Sequence, residues 1–248
     1  MSRLALVTGG SGGIAPAIAQ RLLADGWQVV LTARRAVPLA AVAAHVGARA
    51  ISSDATDAQS VAALVAQVGR VDLLVNAAAS STPIGGPIEG VDVDALIADL
   101  DTKVGGYLRY AQAVVPAMRA GGGGTIVNIG GLTGRSSDTL SGLRNAAVSH
   151  LTKVLGDQLG PHGITVNAIH PGIVGSPHLV ELCADMAQER GVSAVEVEAE
   201  FIARVPTRRL IDPAEIGDMV VFLAGAGGRS VNGQSLALDG GYARGIYL

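Results

Sequence analysis

The amino-acid sequence predicts an α/β fold: a single Rossmann-like domain with a doubly wound parallel sheet of about seven strands and helices on both faces. Short apolar segments of strand length alternate along the 248 residues with longer segments of helical periodicity. A glycine-rich turn, TGGSGGIA, follows the first of these apolar segments. Hydrophobic residues make up 49% of the chain and charged residues only 16%, which provides enough apolar surface for one large core.

The order of the predicted elements requires parallel strands. Runs of aliphatic residues predict strands at residues 4–7, 28–32, 48–52, 71–75, 125–129, 164–169 and 235–238. Apolar residues at helical spacing predict helices at residues 13–24, 37–46, 58–68, 91–119, in the segment that begins at Thr139, and at 213–223. A repeated strand–helix–strand order places the strands in parallel beneath helices on both faces. We interpret residues 1–248 as one domain, with a variable segment at about 177–205 that covers the substrate.

Composition and charge exclude several classes of partner. The formal net charge of -3 provides no basic surface for nucleic acid or an anionic membrane. No run of about 18 uncharged apolar residues is present, so we expect no membrane span, and the strand-like start predicts no signal peptide. The single cysteine, Cys183, excludes an internal disulfide and is typical of a reducing cytoplasm; we interpret it as inert. The histidines and this cysteine show no metal-ligand spacing.

The glycine-rich turn from Thr8 to Ala15 has the properties of a phosphate-binding loop. Its glycines permit a tight turn and a close approach of the backbone to a pyrophosphate. The helix that follows offers unpaired N–H groups at the positive end of its dipole. Pro16 falls in the first helical turn, where a missing N–H costs little. The position between the first strand and the first helix favours a dinucleotide site over a merely tight turn.

The end of the second predicted strand, VVLTARR, favours NADP(H) over NAD(H). Folds that prefer NAD place an acid here, which binds the ribose hydroxyls. This chain instead has Arg34 and Arg35, and a guanidinium group suits a 2′-phosphate. The alternative is that both arginines are solvated surface residues.

Several further segments share one pattern of spacing. The first turn reads TGxxxGI rather than the common GxGxxG. SDATD follows the third strand, VDLLVNAAA holds the fourth, and GITVNAIHPGIVGSP holds the sixth. RRLIDPAEIGDMVVFLAG and NGQSLALDGGY lie near the C-terminus. On these segments, which extend over nearly the whole chain, the sequence resembles the short-chain dehydrogenase/reductase (SDR) family.

The resemblance implies a set of contacts with the cofactor NADP(H). From the pyrophosphate to the nicotinamide, the implied residues are Gly9, Ser11, Gly13, Ile14, Arg34, Arg35, Asp54, Ala55, Asn76, Ala77, Pro171, Gly172, Ile173, Val174 and Ser176. In this set Arg34 would meet the 2′-phosphate, Asp54 would flank the adenine, and Ser176 would hold the carboxamide. Two departures from the family pattern are mild: Ala15 replaces the last glycine of the turn, and NAAA replaces NNAG.

The same resemblance indicates that the usual catalytic residues are replaced. The family uses a Tyr as general acid/base, a Lys four residues later that lowers the Tyr pKa, and a Ser at the preceding strand end. Aligned on the helix AAVSHLTK, the Tyr position holds Ser141 and the Lys position holds Asn145. The Ser position falls on Gly130 or Gly131.

A fourth family position, an Asn on the long helix, holds Lys103. Lys103 with Asn145 resembles the swapped Lys/Asn arrangement of polyketide ketoreductases, in which the Tyr remains. The ammonium charge and the amide would therefore both be present here, in exchanged positions. The loop before the helix is shorter than in the family, which leaves Ser136 or Ser137 as an unaligned substitute for the missing Ser.

Several residues are candidates for the missing proton donor. Lys103 and Tyr107 share a helix face at i and i+4, and an ammonium near a phenol would lower the pKa of the phenol. Core packing is the alternative for Tyr107. Ser141 is expected to form hydrogen bonds rather than to titrate. His170 and His178 flank the Pro-Gly loop, and we interpret them as supporting or surface residues.

Three functions remain open at this stage. The first is an NADP(H)-dependent oxidoreductase that acts on a small C=O, C=N or activated C=C substrate with a nonstandard proton donor. The second is a non-redox lyase, dehydratase or isomerase, and the third is a catalytically silent NADP-binding protein. The resemblance favours the first, as a cytoplasmic homotetramer or homodimer assembled through the long helix and the helix that begins near Thr139. The apolar residues at 177–205 predict a largely nonpolar substrate pocket.

Overall fold

The computed structural model, which describes residues 3–80, 84–135 and 139–245, confirms the predicted fold class. In these ranges, seven parallel strands form one sheet in the order β3-β2-β1-β4-β5-β6-β7. The strands are β1 (Leu4–Thr8), β2 (Gln28–Thr32), β3 (Arg49–Ala50), β4 (Leu73–Asn76), β5 (Gly124–Ile129), β6 (Ile164–Pro171) and β7 (Ser235–Leu238). The order reverses between β1 and β4, which is the switch point where open α/β sheets bind their ligands.

Helices cover both faces of the sheet. Within the described ranges they are α1 (Ala15–Ala24), α2 (Ala36–Val46), α3 (Ala58–Val68), α4 (Val93–Leu100), α5 (Gly106–Ala120), α6 (Gly142–Leu159), α7 (Pro177–Arg190), α8 (Ala194–Arg204) and α9 (Pro213–Ala224). None of the helices in this part of the chain combines the length and apolar character that a membrane crossing needs.

Successive strand residues face two separate apolar layers. Ala5 and Val7 of β1 belong to the layer that contains α1, α2 and α9, whereas Leu6 belongs to the layer that contains α3, α5 and α6. All three side chains are fully buried. A parallel sheet covered on both faces requires such uninterrupted apolar strands, which explains why the strand segments were recognisable in the sequence.

The helix predicted at residues 91–119 is the main correction to the predicted elements. Its first residue is Val93, because Asp92 accepts a hydrogen bond from Ala95 N at 3.0 Å and caps the helix there. Between α4 and α5 the backbone widens into a π-helical turn, Asp101–Gly105, that contains Lys103. Such turns inside α-helices often occur at functional positions because they redirect the side chains that they carry.

Two other predicted boundaries were wrong by a few residues. The first helix begins at Ala15 rather than at residue 13, because the glycine-rich turn continues to Ile14. The third strand pairs only over Arg49–Ala50, at the edge of the sheet, rather than over residues 48–52.

The segment at residues 177–205 folds into α7 and α8, which pack on each other. Leu179, Cys183, Ala187 and Val197 form a small apolar cluster between them. Ser193 begins α8 with a reciprocal pair of hydrogen bonds to Glu196. The apolar residues of this segment are therefore used largely for its own packing.

A buried polar network joins β4, β5 and α6 near the switch point. Asn76 Nδ2 donates to Asn128 Oδ1 at 2.9 Å, and Asn128 Nδ2 donates to Thr152 Oγ1 at 3.0 Å. All three side chains are fully buried. Because buried amides are costly without partners, this network fixes the position of α6 relative to the two strands.

Replacement of Thr152 by Val, which keeps the shape but removes the hydroxyl acceptor, is expected to lower the free energy of unfolding. The expected loss is about 1–3 kcal/mol, because the amide of Asn128 stays buried without its acceptor. Urea unfolding of both proteins measures the difference. The control is Thr207→Val at an exposed position, which should change stability by less than about 0.5 kcal/mol. Equal effects of the two substitutions would contradict this role for Thr152.

Candidate active site

The carboxyl ends of β1 and β4 lie so close together that the turn from β1 to α1 must begin with glycine. Gly9 has a φ of +73°, and a Cβ placed on it would lie 2.8 Å from the carbonyl oxygen of Ala77. Only glycine adopts this conformation without strain and fits this space. The buried hydroxyl of Thr8 accepts hydrogen bonds from the backbone N–H groups of Ala77 and Ala78, at 2.9 and 3.1 Å. These contacts shape the floor of a cleft.

The turn from Gly9 to Ile14 forms an open cradle at the N-terminus of α1. Gly13 has a φ of +63°, and a Cβ on it would meet no atom within 4 Å. No side chain caps the helix at Ile14, and Ser11 is only partly buried. The cradle therefore combines open space with uncapped N–H groups and the positive end of the helix dipole. The residues present fit a dinucleotide pyrophosphate.

The end of β2 carries the two arginines of the predicted 2′-phosphate site. Both Arg34 and Arg35 are exposed beside the cleft. The hydroxyl of Ser52 donates to the carbonyl of Arg34 at 3.1 Å, which joins this loop to the chain after β3. Hydrogen bonds from the backbone and hydroxyl of Thr56 lower the pKa of Asp54, and the positive charge of Arg34 acts in the same direction.

Two of the residues predicted to contact the cofactor have other contacts in the structure. Asn76 is fully buried, and its amide belongs to the network with Asn128 rather than to the cleft surface. Ala55 is partly buried against α5, where its carbonyl oxygen accepts a hydrogen bond from Arg109 Nη1 at 3.0 Å. The family resemblance alone did not reveal these packing roles.

The end of β6 forms the opposite wall of the cleft. A Cβ on Gly172 would lie 2.8 Å from Cα of Asp239, so glycine is required where the strand leaves the sheet. The loop continues through Ile173, and Val174 pairs with Ile211. Ser176 caps α7, accepting a hydrogen bond from Leu179 N at 3.4 Å.

Lys103 is buried at the centre of the site, with 4% of its surface exposed. Its Nζ donates to Asn145 Oδ1 at 2.9 Å and to the carbonyl oxygen of Gly130 at 3.2 Å. Burial and, to a smaller extent, the positive charge of Arg144 lower the pKa of Lys103 to about 7, against the opposing effect of the Asp99 carboxylate. The amine is therefore able to change its charge near neutral pH.

Asn145 connects this lysine to a hydroxyl that the sequence did not single out. Its Nδ2 donates to Thr133 Oγ1 at 2.7 Å, and Thr133 lines a cavity of about 650 Å³. A Cβ on Gly131 would lie 2.8 Å from the same amide nitrogen, so the approach of Asn145 requires glycine at this position. The only sequence signal for Thr133 is a hydroxyl residue soon after the strand end NIGG.

His170 occupies the space beside the other glycine of that strand end. A Cβ on Gly130 would collide with its imidazole ring. The ring is buried, with Nδ1 beside the backbone of Gly131 and Nε2 3.0 Å from Ser149 Oγ. Burial lowers the pKa of His170. This supporting role is the predicted one, and His178 is exposed on α7.

The hydroxyl groups of Ser141 and Tyr107, two candidates in the catalytic set, are each bound to a backbone group. Ser141 is buried, and its hydroxyl accepts a hydrogen bond from Ile84 N at 2.8 Å rather than capping α6. Tyr107 is 2% exposed, and its hydroxyl donates to the carbonyl of Ile129 at 2.9 Å. Burial raises the pKa of Tyr107, so the expected lowering by Lys103 was wrong. Ser136 and Ser137 lie outside the described residues.

A cavity of about 650 Å³ opens beside these groups. Its lining comprises Gly131, Leu132, Thr133, Arg135, Pro171, Gly172, Ile173, Arg204, Tyr242, Ala243, Arg244 and Gly245. The lining surface is largely nonpolar, as predicted, but it also includes three arginines. The apolar residues of α7 and α8, which were expected to form the pocket, instead pack largely on each other. Among the described residues, no cluster of His, Cys, Asp and Glu could hold a metal ion.

Comparison with known proteins identifies the family. The family model described as Enoyl-(Acyl carrier protein) reductase matches residues 9–243. The short-chain reductase protein NovJ of Streptomyces niveus is 34% identical over 259 aligned positions, which cover 96% of this chain and 93% of that protein. The chain belongs to the short-chain dehydrogenase/reductase family. Because its relatives are named reductases and dehydrogenases, this SDR protein is an oxidoreductase.

Two solved SDR structures are similar over almost the entire chain. A variant of the actinorhodin polyketide ketoreductase with NADPH is 33% identical, with a TM-score of 0.89 and coverage of 98% of both chains. The L-sorbose reductase from Gluconobacter frateurii, complexed with NADPH and L-sorbose, is 25% identical, with a TM-score of 0.91. That alignment covers 99% of this chain and 98% of the reductase.

The lowered pKa of Lys103 predicts a stability change with pH. Between about pH 7 and the ordinary lysine value, the unfolded chain holds a proton that the folded chain has released. The free energy of unfolding should therefore rise with pH in this window, relative to a Lys103→Met variant, by up to about 1.4 kcal/mol per pH unit.

Urea unfolding at pH 6, 7.5 and 9 measures this difference. The matched control is Lys153→Met, which alters the chain's other lysine, whose side chain is 61% exposed. Its stability relative to the wild type should not show the same rise. A constant difference between wild type and Lys103→Met at all three pH values would contradict a pKa near neutrality.

Proposed function

We propose that this protein is an NADP(H)-dependent oxidoreductase that reduces a small C=N or C=O substrate without the tyrosine acid of its family. An activated C=C bond is a further substrate of the same class. The observation that carries the proposal is the chain of contacts from Lys103 through Asn145 to Thr133 at the cavity. By the family resemblance, Ser141 stands at the tyrosine position, so the proton donor is nonstandard.

The choice of NADP(H) rests on residues at the end of β2 and on related structures. Arg34 and Arg35 provide exposed guanidinium groups for a 2′-phosphate, and no acid stands at this strand end for the ribose hydroxyls. The glycine cradle before α1 fits the pyrophosphate. The ketoreductase and the L-sorbose reductase were both solved with NADPH. When bound, NADPH supplies the hydride.

Thr133 has the hydrogen-bonding geometry of an electrophilic group. Its oxygen accepts from Asn145 Nδ2, so its hydroxyl hydrogen is available for a substrate heteroatom in the cavity. Lys103 polarises the Asn145 amide from the other side, which strengthens the donation by Thr133. A preorganised donor of this kind stabilises negative charge that develops on a substrate oxygen or nitrogen.

The same geometry favours substrates that need little proton transfer. An amide conveys polarisation between Lys103 and Thr133 but does not readily relay a proton, and Lys103 itself is buried. An iminium already carries a positive charge, so hydride addition yields the neutral amine without a proton donor. We therefore place C=N reduction before ketone reduction.

The substrate cover and the assembly are parts of the same proposal. Residues 177–205, which form α7 and α8, follow the β6 loop and would cover the substrate.

Leu108 on α5, and Leu143 and Val154 on α6, are apolar side chains exposed at 37%, 49% and 36%. Their exposure supports a homodimer or homotetramer in which α5 and α6 pack against a second copy.

Replacement of Arg34 by Ala should weaken NADPH binding about 10- to 100-fold and change NADH binding little, because only the 2′-phosphate loses a charged partner. Arg35→Ala should have a smaller effect of the same kind. Fluorescence titration with both cofactors measures the dissociation constants. Arg119→Ala is the control, because Arg119 is exposed at the C-terminal end of α5, near the amino ends of the strands and away from the cleft. Equal weakening for NADPH and NADH would rule out a 2′-phosphate contact.

The proposed reaction is tested with a panel of ketones, enones and cyclic imines, followed by the loss of NADPH absorbance. With ketones and enones, Lys103→Met and Thr133→Val should each lower kcat about 100-fold while leaving the dissociation constant of NADPH unchanged. Reduction of a preformed iminium, on which no negative charge develops, should be affected less by Thr133→Val. The wild-type rate should change with an apparent pKa near 7, and Lys103→Met should lose that dependence.

Thr165→Val is the matched control for Thr133, because Thr165 lies at the start of β6, away from the cavity. Its kcat should remain at the wild-type value. Failure of the whole panel to consume NADPH would overturn the proposed function. Full activity of Thr133→Val would reject the hydroxyl as the polarised group.

A further inference from the structure

The cavity beside Thr133 carries a net positive charge among its lining residues. Arg135, Arg204 and Arg244 are part of the lining, which contains no Asp or Glu. The cavity extends from the strand-end residues Gly131 and Pro171 to the C-terminal segment that contains Arg244. A substrate whose reacting carbon lies beside Thr133 therefore occupies the cavity that these arginines line.

Arg204 makes an aromatic contact that does not require its hydrogen-bond donors. Its guanidinium carbon lies 5.5 Å from the centroid of the Tyr242 ring, in a cation–π contact, and Tyr242 lines the same cavity. A cation–π contact is electrostatic and does not require the N–H donors, which lie in the plane of the guanidinium group. A bound carboxylate or phosphate can accept hydrogen bonds from these N–H donors. The Tyr242 ring and an anion can therefore bind Arg204 at the same time.

Asp239 holds the backbone of the turn that precedes Arg244. Asp239 accepts hydrogen bonds from Gly241 N at 2.9 Å and from Ala243 N at 2.8 Å. Both carboxylate oxygens are thus used by the turn, and Asp239 is not part of the cavity lining. On the other side, Arg135 is anchored to β7 by a hydrogen bond from Nη2 to the carbonyl of Ser235 at 3.0 Å.

We propose that Arg204 and Arg244 bind an anionic group of the substrate, a carboxylate or a phosphate, in the cavity that Thr133 also lines. This inference rests on the proposed function, since it concerns the molecule that is reduced. The reducible bond and the anion then belong to one small substrate. The two arginines select for charge, and Thr133 and the cofactor act on the bond.

The test measures ligand binding to the protein saturated with NADP⁺, by isothermal titration calorimetry, so it needs no turnover. The probes are cyclohexanecarboxylate, cyclohexyl phosphate and the neutral, nearly isosteric cyclohexanecarboxamide. The wild type should bind at least one of the two anions about tenfold or more tightly than the amide. Whichever anion binds more tightly identifies the group, carboxylate or phosphate, that the site selects.

Arg204→Gln and Arg244→Gln should each remove most of this preference while leaving binding of the amide and of NADP⁺ unchanged. Arg204→Lys keeps the charge but loses the planar fork, so it should retain part of the preference. Arg119→Gln makes the same change in net charge away from the cleft and should behave as the wild type.

The absence of any preference for an anion in the wild type would overturn the inference. Retention of the full preference in both glutamine variants would do the same. A loss of NADP⁺ affinity in these variants would assign the arginines to the cofactor instead. Because NADPH consumption is measured separately, failure of this binding test leaves the proposed reaction standing, and failure of the reaction leaves the anion preference measurable.

Discussion

The buried amino group of Lys103 is the constraint on which the organisation of this site depends. A charge that is 4% exposed costs several kcal/mol unless oxygen atoms replace its lost water. The carbonyl of Gly130 and the amide oxygen of Asn145 provide two acceptors, and the carboxylate of Asp99 lies close enough to favour the charged form. The π-helical turn directs Lys103 to these partners. Burial still prevails over them, which is why the pKa falls toward neutrality.

The residues around this amino group form a set whose members depend on one another. Asn145 reaches Lys103 only because Gly131 has no side chain, and the imidazole of His170 fits only because Gly130 has none. A serine at that strand end would displace one or the other. The two glycines therefore make room for the imidazole and for the amide that connects Lys103 to Thr133.

Further contacts fasten this arrangement to the loop after β4. Arg144 forms an ion pair with the buried Asp99 of α4 and donates to the carbonyl of Ser80 at 3.2 Å. Ser141 accepts from Ile84 in the same loop. The start of α6 is thus held on two sides, and Arg144 adds positive charge near the cleft. A positive cleft attracts anionic ligands, which is consistent with a dinucleotide and with a charged substrate.

The sequence determined the fold class, the parallel sheet and the positions of most elements, because hydrophobic periodicity and glycine-rich turns are local properties of the chain. It also predicted that Lys103 and Asn145 belong together. Only the tertiary structure decided that the side chains of Lys103 and Asn145 form a hydrogen bond and that Thr133 connects Asn145 to the cavity. It also decided that Tyr107 is buried, with its hydroxyl bound to the carbonyl of Ile129. The sequence predicted neither the π-helical turn nor the arginines of the cavity lining. The lining residues are far apart in the chain and meet only in the folded protein. Periodicity indicates which face of a helix is buried, but the burial that sets a pKa depends on every element packed against it.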